Sequence, residues 1–183
     1  MIRQPSIMTS TGRLFPLLQP HTFEFDIEEI AHALSRICRY TGHTRQFYSV
    51  AQHSVYVSGL VPDEYKLEAL LHDASEAFLG DVSSPLKALL PEYKAIEAAV
   101  EKAIAKQYGL PFPLSPTVKT ADLAMLVNEK RDLMPLGHDD WWPRPESMAH
   151  RGVKVQPLGP TTSKMLFLDM YHRYLEGHIS NGQ

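Results

Sequence analysis

Cysteine is nearly absent from this chain: Cys38 stands alone among 183 residues. An intrachain disulfide is therefore excluded, a reducing compartment is suited, and Cys38 reads as small core filler. Long hydrophobic runs are missing too. Nowhere do the roughly 18 consecutive apolar residues of a membrane span occur, and Met1-Ile2-Arg3-Gln4-Pro5 lacks the apolar run of a signal peptide. The expectation is a cytoplasmic protein that spans no membrane. Neither sign of charge dominates, since 18 Lys and Arg against 21 Asp and Glu leave a net −3, which argues against broad attraction to a nucleic-acid polymer or an anionic membrane. Any phosphate site must then be local. A glycine-rich phosphate loop, an internal repeat and a low-complexity tract are likewise missing. What is present is ordinary for a globular chain, with 44% hydrophobic and 21% charged residues, and the length matches one domain.

The patterning is helical. Residues 1–25 form an arm without helical period, in which Arg13-Leu14-Phe15-Pro16-Leu17-Leu18 reads as a short extended piece. Asp26 reads as the N-cap of a helix carrying Ile30, Ala33, Leu34 and Ile37 and ending near Tyr40-Thr41-Gly42, before a polar loop at 43–48. A second helix opens near Ser49 and carries His53 on its apolar stripe until Pro62. Asp63 caps a third, whose buried face of Leu67, Leu70, Leu71, Ala74 and Phe78 leads to Gly80-Asp81. Pro85 fits only a first helical turn. An amphipathic helix from Pro91 to Tyr108 is closed by Gly109, and another runs from Ser115 or Pro116 to Met134. Residues 135–160 are Pro-rich, hold Trp141-Trp142, and read as a lid, a docking loop or an oligomer contact. A last helix, Met165 to Leu175, is capped by Thr161 or Thr162 and stopped by Gly177.

Residues 70–81 put four ionisable side chains, His72, Asp73, Glu76 and Asp81, into an otherwise core-like run. On a continuous helix, adjacent His72 and Asp73 lie about a hundred degrees apart and can converge on one ion, with Glu76 a turn beyond His72. A His-Asp dipeptide also arises by chance, and a buried histidine is often simply hydrogen-bonded core. The company decides: His53 and Asp122 sit on apolar faces of two other helices. Two imidazoles and two carboxylates form a mixed nitrogen and oxygen set with room for water and a substrate oxygen, suited to Zn, Mn, Co, Ni or Fe. A second pair, His138-Asp139, lies in the Pro-rich loop with no apolar helical frame and reads as a non-ligand.

The order His, then His-Asp, then Asp on successive helices resembles the HD-domain superfamily of metal-dependent phosphohydrolases. Within it, Ser49-Val50-Ala51-Gln52-His53-Ser54, Leu71-His72-Asp73-Ala74-Ser75-Glu76 through Asp81 to Lys87, and Lys119-Thr120-Ala121-Asp122 are similar to bacterial 5'-deoxynucleotidases and phage dATP triphosphohydrolases. The resemblance implies an all-α, single-domain bundle of about six to seven helices over residues 1–183. It implies one divalent transition metal on His53, His72, Asp73 and Asp122, with Glu76 and Asp81 handling the attacking water. The substrate implied is a 5'-phosphorylated deoxynucleoside, a dNMP or a dNTP such as dATP, and the assembly a homo-oligomer. Lys87 would neutralise phosphate from the first turn of its helix. Arg39-Tyr40 stands where the deoxynucleotidases carry Arg-Trp against phosphate and sugar, with tyrosine replacing tryptophan and the interval to His53 about one residue shorter. Arg39 complementing a helix C-terminus and Tyr40 packing under the loop is the plainer reading of that pair. The rivals are hydrolysis of another small phosphate ester and a non-catalytic nucleotide-binding regulator.

Overall fold

A computed structural model describes residues 4–135 and 152–180, with side chains to residue 176. His138-Asp139 and Trp141-Trp142 lie outside the described residues. The chain is mostly helical. Its arm contains a small antiparallel sheet of β1 (Ser6–Met8) and β2 (Leu14–Pro16), paired Ile7 to Phe15. There follow α1 (Ile27–Leu34), α2 (Val50–Ser58), α3 (Lys66–Leu71), α4 (Glu76–Leu79), α5 (Ser84–Lys87), α6 (Pro91–Tyr108), α7 (Pro116–Leu133) and α8 (Pro160–Ser180). No helix among the described residues is long and apolar enough to cross a membrane.

Side-chain caps start the helices where the sequence places them. Asp26 accepts from the Glu28 amide, Ser49 from Gln52 and Ser115 from Val118, each filling an amide that has no intrahelical partner. Gly109 closes α6 in the left-handed region. Three expectations about helix extent need correction. The first helix stops at Leu34 instead of reaching Tyr40, because the Cys38 backbone bridges Ser49, with the Arg39 amide donating to Tyr48 and the Val50 amide to Ile37. Cys38 is only partly buried there. The third helix is divided: a 3₁₀ turn at Asp63–Tyr65 precedes α3, and His72 to Ser75 tighten into i→i+3 bonds before α4. The last helix begins earlier, at Pro160, whose fixed φ suits a first turn, and continues past Gly177 to Ser180.

Two apolar clusters hold these elements. One joins Phe15 and Phe25 of the arm to Ile30, Leu34, Leu70, Leu71, Phe78, Val100, Ile104 and Phe167; the other joins Tyr48, Val57, Ala69, Val118, Ala121 and Met125. The arm is thus part of the core. Phe15 is fully buried and its ring lies 4.5 Å from that of Phe78, with Phe23 and Phe25 against the same ring. Because Phe78 belongs to the single turn of α4, this aromatic group anchors Glu76 two residues before it. Residues 152–160, the described end of the Pro-rich stretch, are strapped down. Gln52 donates to the Gln156 carbonyl and accepts from the Leu158 amide, and the Val155 amide donates to Asp132.

Candidate metal centre

His53 is carried by α2, His72 and Asp73 by the tightened turn after α3, and Asp122 by α7. His53, His72 and Asp122 converge on one cluster, and Asp73 lies against both of its imidazoles. His53 Nε2 lies 3.2 Å from Asp122 Oδ1 and 3.6 Å from Asp73 Oδ2. His72 Nε2 lies 3.2 Å from Asp73 Oδ2 and 4.0 Å from Asp122 Oδ1. Ligand atoms about 2.0–2.2 Å from a shared cation stand roughly 3–4 Å from one another, so the spacing is that of a coordination shell. The two Nε2 atoms are buried and make no hydrogen bond, a state that protein interiors avoid unless the lone pairs have another use. The residues fit a cation: the cluster of His53, His72 and Asp122, with Asp73 alongside, can hold a metal ion.

The remaining imidazole nitrogens set the orientation. His72 Nδ1 lies 2.8 Å from the Ala69 carbonyl, so it carries the proton and leaves Nε2 as the lone pair. His53 Nδ1 lies 2.5 Å from Glu129 Oε1. Sequence reasoning did not find Glu129. It sits seven residues after Asp122 on α7, which places both on one face, but it stands in the charged run Asn128-Glu129-Lys130-Arg131-Asp132 that reads as solvated surface. Tyr48, expected in a polar loop, is fully buried and donates to Glu129 at 2.8 Å.

Arg39 Nε is 3.3 Å from Glu129 Oε2 and its Nη1 is 3.4 Å from Asp73 Oδ2, while the Tyr40 hydroxyl donates to Glu129 Oε2 at 2.8 Å. Both are therefore at the centre, though engaged with its carboxylates. Lys87 ends α5 instead of opening its helix, and its ammonium pairs with Glu97 at 2.6 Å. Its charge still reaches Glu76 and Asp81. Both of those carboxyls are shifted upward. Burial, then Asp73 and Asp81, hold the Glu76 carboxyl well above the usual carboxylate range. Burial raises Asp81 as well, with Arg39 opposing and Asp73 adding to the rise.

The chain is 44% identical over 169 residues to the uncharacterized protein YfdR of Escherichia coli (strain K12), a match spanning 91% of this chain and 93% of that protein. It belongs to the YfdR family. The uncharacterized protein RCAP_rcc00048 of Rhodobacter capsulatus is 30% identical over 179 residues, spanning 88% of this chain and 91% of its own. No family model matches the chain.

The electrostatics of this YfdR-family centre give a pH test. In metal-free protein, burial and Arg39 disfavour the charge on His53, but Glu129 and Asp122 outweigh them and raise its imidazole to about 9. Burial also opposes His72, and Asp73 and Asp122 raise it. Glu129 moves the other way, to about 2, because Arg39 and His53 overcome the burial of its carboxylate. The stability from His53 is fully present below its ordinary 6.5 and is lost as pH rises through about 9. That from Glu129 is present above 4.5 and is lost as pH falls toward about 2. Metal-free protein should melt highest between 4.5 and 6.5. A cation must displace the imidazole protons, so its affinity should rise about tenfold or more from pH 6 to pH 8. Calorimetric titration with Co²⁺ at both values checks this, and equal affinities would refute it.

Proposed function

We propose that this chain is an HD-domain phosphohydrolase that cleaves 5'-phosphorylated deoxynucleosides, taking a dNMP to deoxynucleoside and phosphate or a dNTP to deoxynucleoside and triphosphate. The observation that carries the reading is the cluster of His53, His72 and Asp122, with Asp73 against both imidazoles, followed on the chain by the carboxyls of Glu76 and Asp81, both raised by burial and by Asp73. A divalent transition metal held there, one of Zn, Mn, Co, Ni or Fe, would polarise a phosphoryl oxygen and offset charge at phosphorus. The carboxyl pair supplies the proton traffic. Glu76, held protonated by burial and by its carboxylate neighbours, donates to the leaving 5' oxygen. Asp81, on the chain just past Gly80, takes the proton of the attacking water.

Gly80 has a reason to be there: at φ 79° and ψ 159° it ends α4 and turns the chain toward Asp81 in a conformation that side chains avoid. Arg39 and Lys87 meet the phosphates by exchanging part of their pairing with Asp73 and Glu97, and Tyr40 faces the sugar. A pair of carboxyls with raised affinity for protons favours catalysis over a purely sensing role, since binding alone needs no pair that handles water and its protons. The same reading carries a cytoplasmic homo-oligomer, for which Leu86, Leu89 and Leu90, all exposed on α5 and the turn after it, offer the apolar surface.

The test is a screen of deoxy- and ribonucleoside mono- and triphosphates, cyclic nucleotides and sugar phosphates with Mn²⁺ or Co²⁺, assaying phosphate, pyrophosphate and triphosphate. Release of phosphate or triphosphate from deoxynucleotides is expected. Turnover confined to non-nucleotide esters would replace the substrate class, and cation-loaded protein inert to the whole panel would end the enzymatic reading.

A further inference from the structure

We propose that Glu129 is a positioning residue for the metal centre, fixing which nitrogen of His53 faces the cation and tying Arg39 and Tyr40 to that orientation. The inference rests on the metal-centre part of the reading above and is independent of the substrate.

Glu129 is fully buried on α7, and both its oxygens are saturated. Oε1 accepts from the Tyr48 hydroxyl at 2.8 Å and faces His53 Nδ1 at 2.5 Å; Oε2 accepts from the Tyr40 hydroxyl at 2.8 Å and from Arg39 Nε at 3.3 Å. An ionised carboxylate has no proton to give. His53 must therefore carry its proton on Nδ1, which leaves Nε2 as the lone pair, and Nε2 is the atom pointed at Asp73 and Asp122. Carboxylate partners of this kind orient histidine ligands and raise their basicity.

The second consequence runs through Arg39. Its guanidinium spans Glu129 and Asp73, so Glu129 divides the pull of that charge between a non-ligand and a ligand. Without the Glu129 charge, Arg39 turns wholly to Asp73 Oδ2 and competes with the cation for it. The backbone that delivers these side chains is itself strained: Tyr40 and Thr41 both sit at φ 54° in the left-handed region, which residues other than glycine rarely adopt. Such strain persists where surrounding bonds over-determine it, and the Tyr40 bond to Glu129 is one of those bonds.

The test uses the full chain with Co²⁺ as the probe, comparing wild type, Glu129→Gln, Tyr48→Phe and Tyr40→Phe. Glutamine keeps an acceptor for His53 but loses the charge and presents an amide donor to groups that already donate. Glu129→Gln is expected to lose about 10–100-fold in Co²⁺ affinity and to shift the visible absorption of the bound ion. Each Tyr→Phe variant keeps the carboxylate charge and should lose a few-fold. Long-range ¹H–¹⁵N correlation on zinc-loaded wild type should place the His53 proton on Nδ1. Folded Glu129→Gln with wild-type affinity and spectrum overturns the proposal, as does a His53 proton on Nε2. Should Glu129→Gln fail to fold, the two Tyr→Phe variants decide it, and unchanged affinity in both overturns it. Wild type that binds no Co²⁺ removes the metal centre itself and this proposal with it. Wild type that binds Co²⁺ yet hydrolyses nothing removes only the phosphohydrolase reading.

Discussion

Asp73→Ala should abolish hydrolysis, lowering kcat/KM by about a thousandfold or more, the scale on which loss of an essential group in a catalytic unit registers. Asp73 Oδ2 lies within 3.6 Å of both imidazoles and 3.4 Å from Arg39, so one truncation removes a proposed ligand and the common anion of three cationic groups. Burial would raise the Asp73 carboxyl, yet His72, His53 and Arg39 hold it far below the usual range. It is therefore ionised at any working pH. In metal-free protein near neutral pH, its loss leaves His72 without its nearest carboxylate, and removing one partner of a buried pair costs about 3–5 kcal/mol. For a chain of this size that corresponds to a melting point lower by roughly 6–20 °C. Activity after chelation, metal content and melting should all be measured on the same preparation. Wild-type turnover in Asp73→Ala would sink the metal-dependent mechanism.

Glu76→Gln separates chemistry from binding. Glu76 lies outside the ligand shell, so Co²⁺ affinity should stay within a few-fold while kcat falls about 10²–10⁴-fold, the usual worth of a positioned proton donor. Stability should move in the opposite direction. The Glu76 carboxyl is held up by burial, Asp73 and Asp81, and its Oε2 is buried with no hydrogen-bond partner. A carboxyl raised in the folded state contributes no penalty at acid pH, and the penalty grows as pH rises past the ordinary carboxylate range. Glutamine has no charge to bury. The metal-free variant should therefore melt higher than wild type at pH 8, by about 2–4 °C for each kcal/mol gained, and the advantage should vanish near pH 4. A variant with undiminished kcat would remove Glu76 from the proton pathway; one that melts lower at pH 8 would show that the carboxylate is stabilised there.

Much of this centre can be read from the chain. His53, His72, Asp73 and Asp122 are polar residues on apolar stripes, and a stripe has to face inward, so their convergence follows from packing three helical faces on one core. Their second partners could not be read so easily. Glu129 is surrounded in sequence by Asn128, Lys130, Arg131 and Asp132, and Tyr48 by a loop, and nothing local says that these two side chains turn inward to meet each other. Arg39 and Tyr40 were legible as a pair, but their attachment to Glu129 spans about ninety residues of chain and exists only once α7 lies against the segment before α2.

Local signals determined the helix starts at Asp26, Ser49 and Ser115, the closure of α6 at Gly109 and the identity of the inward polar residues, because caps and hydrophobic period act within a few residues. Tertiary structure decided the rest. It ended α1 at Leu34 by pairing Cys38 with Ser49, and tightened residues 72–75. It also drew the arm into the core through Phe15 and gave His53 its carboxylate partner. In each of these a backbone or side-chain group takes a partner from a distant segment, and that choice is made by which surfaces the whole chain can bury together.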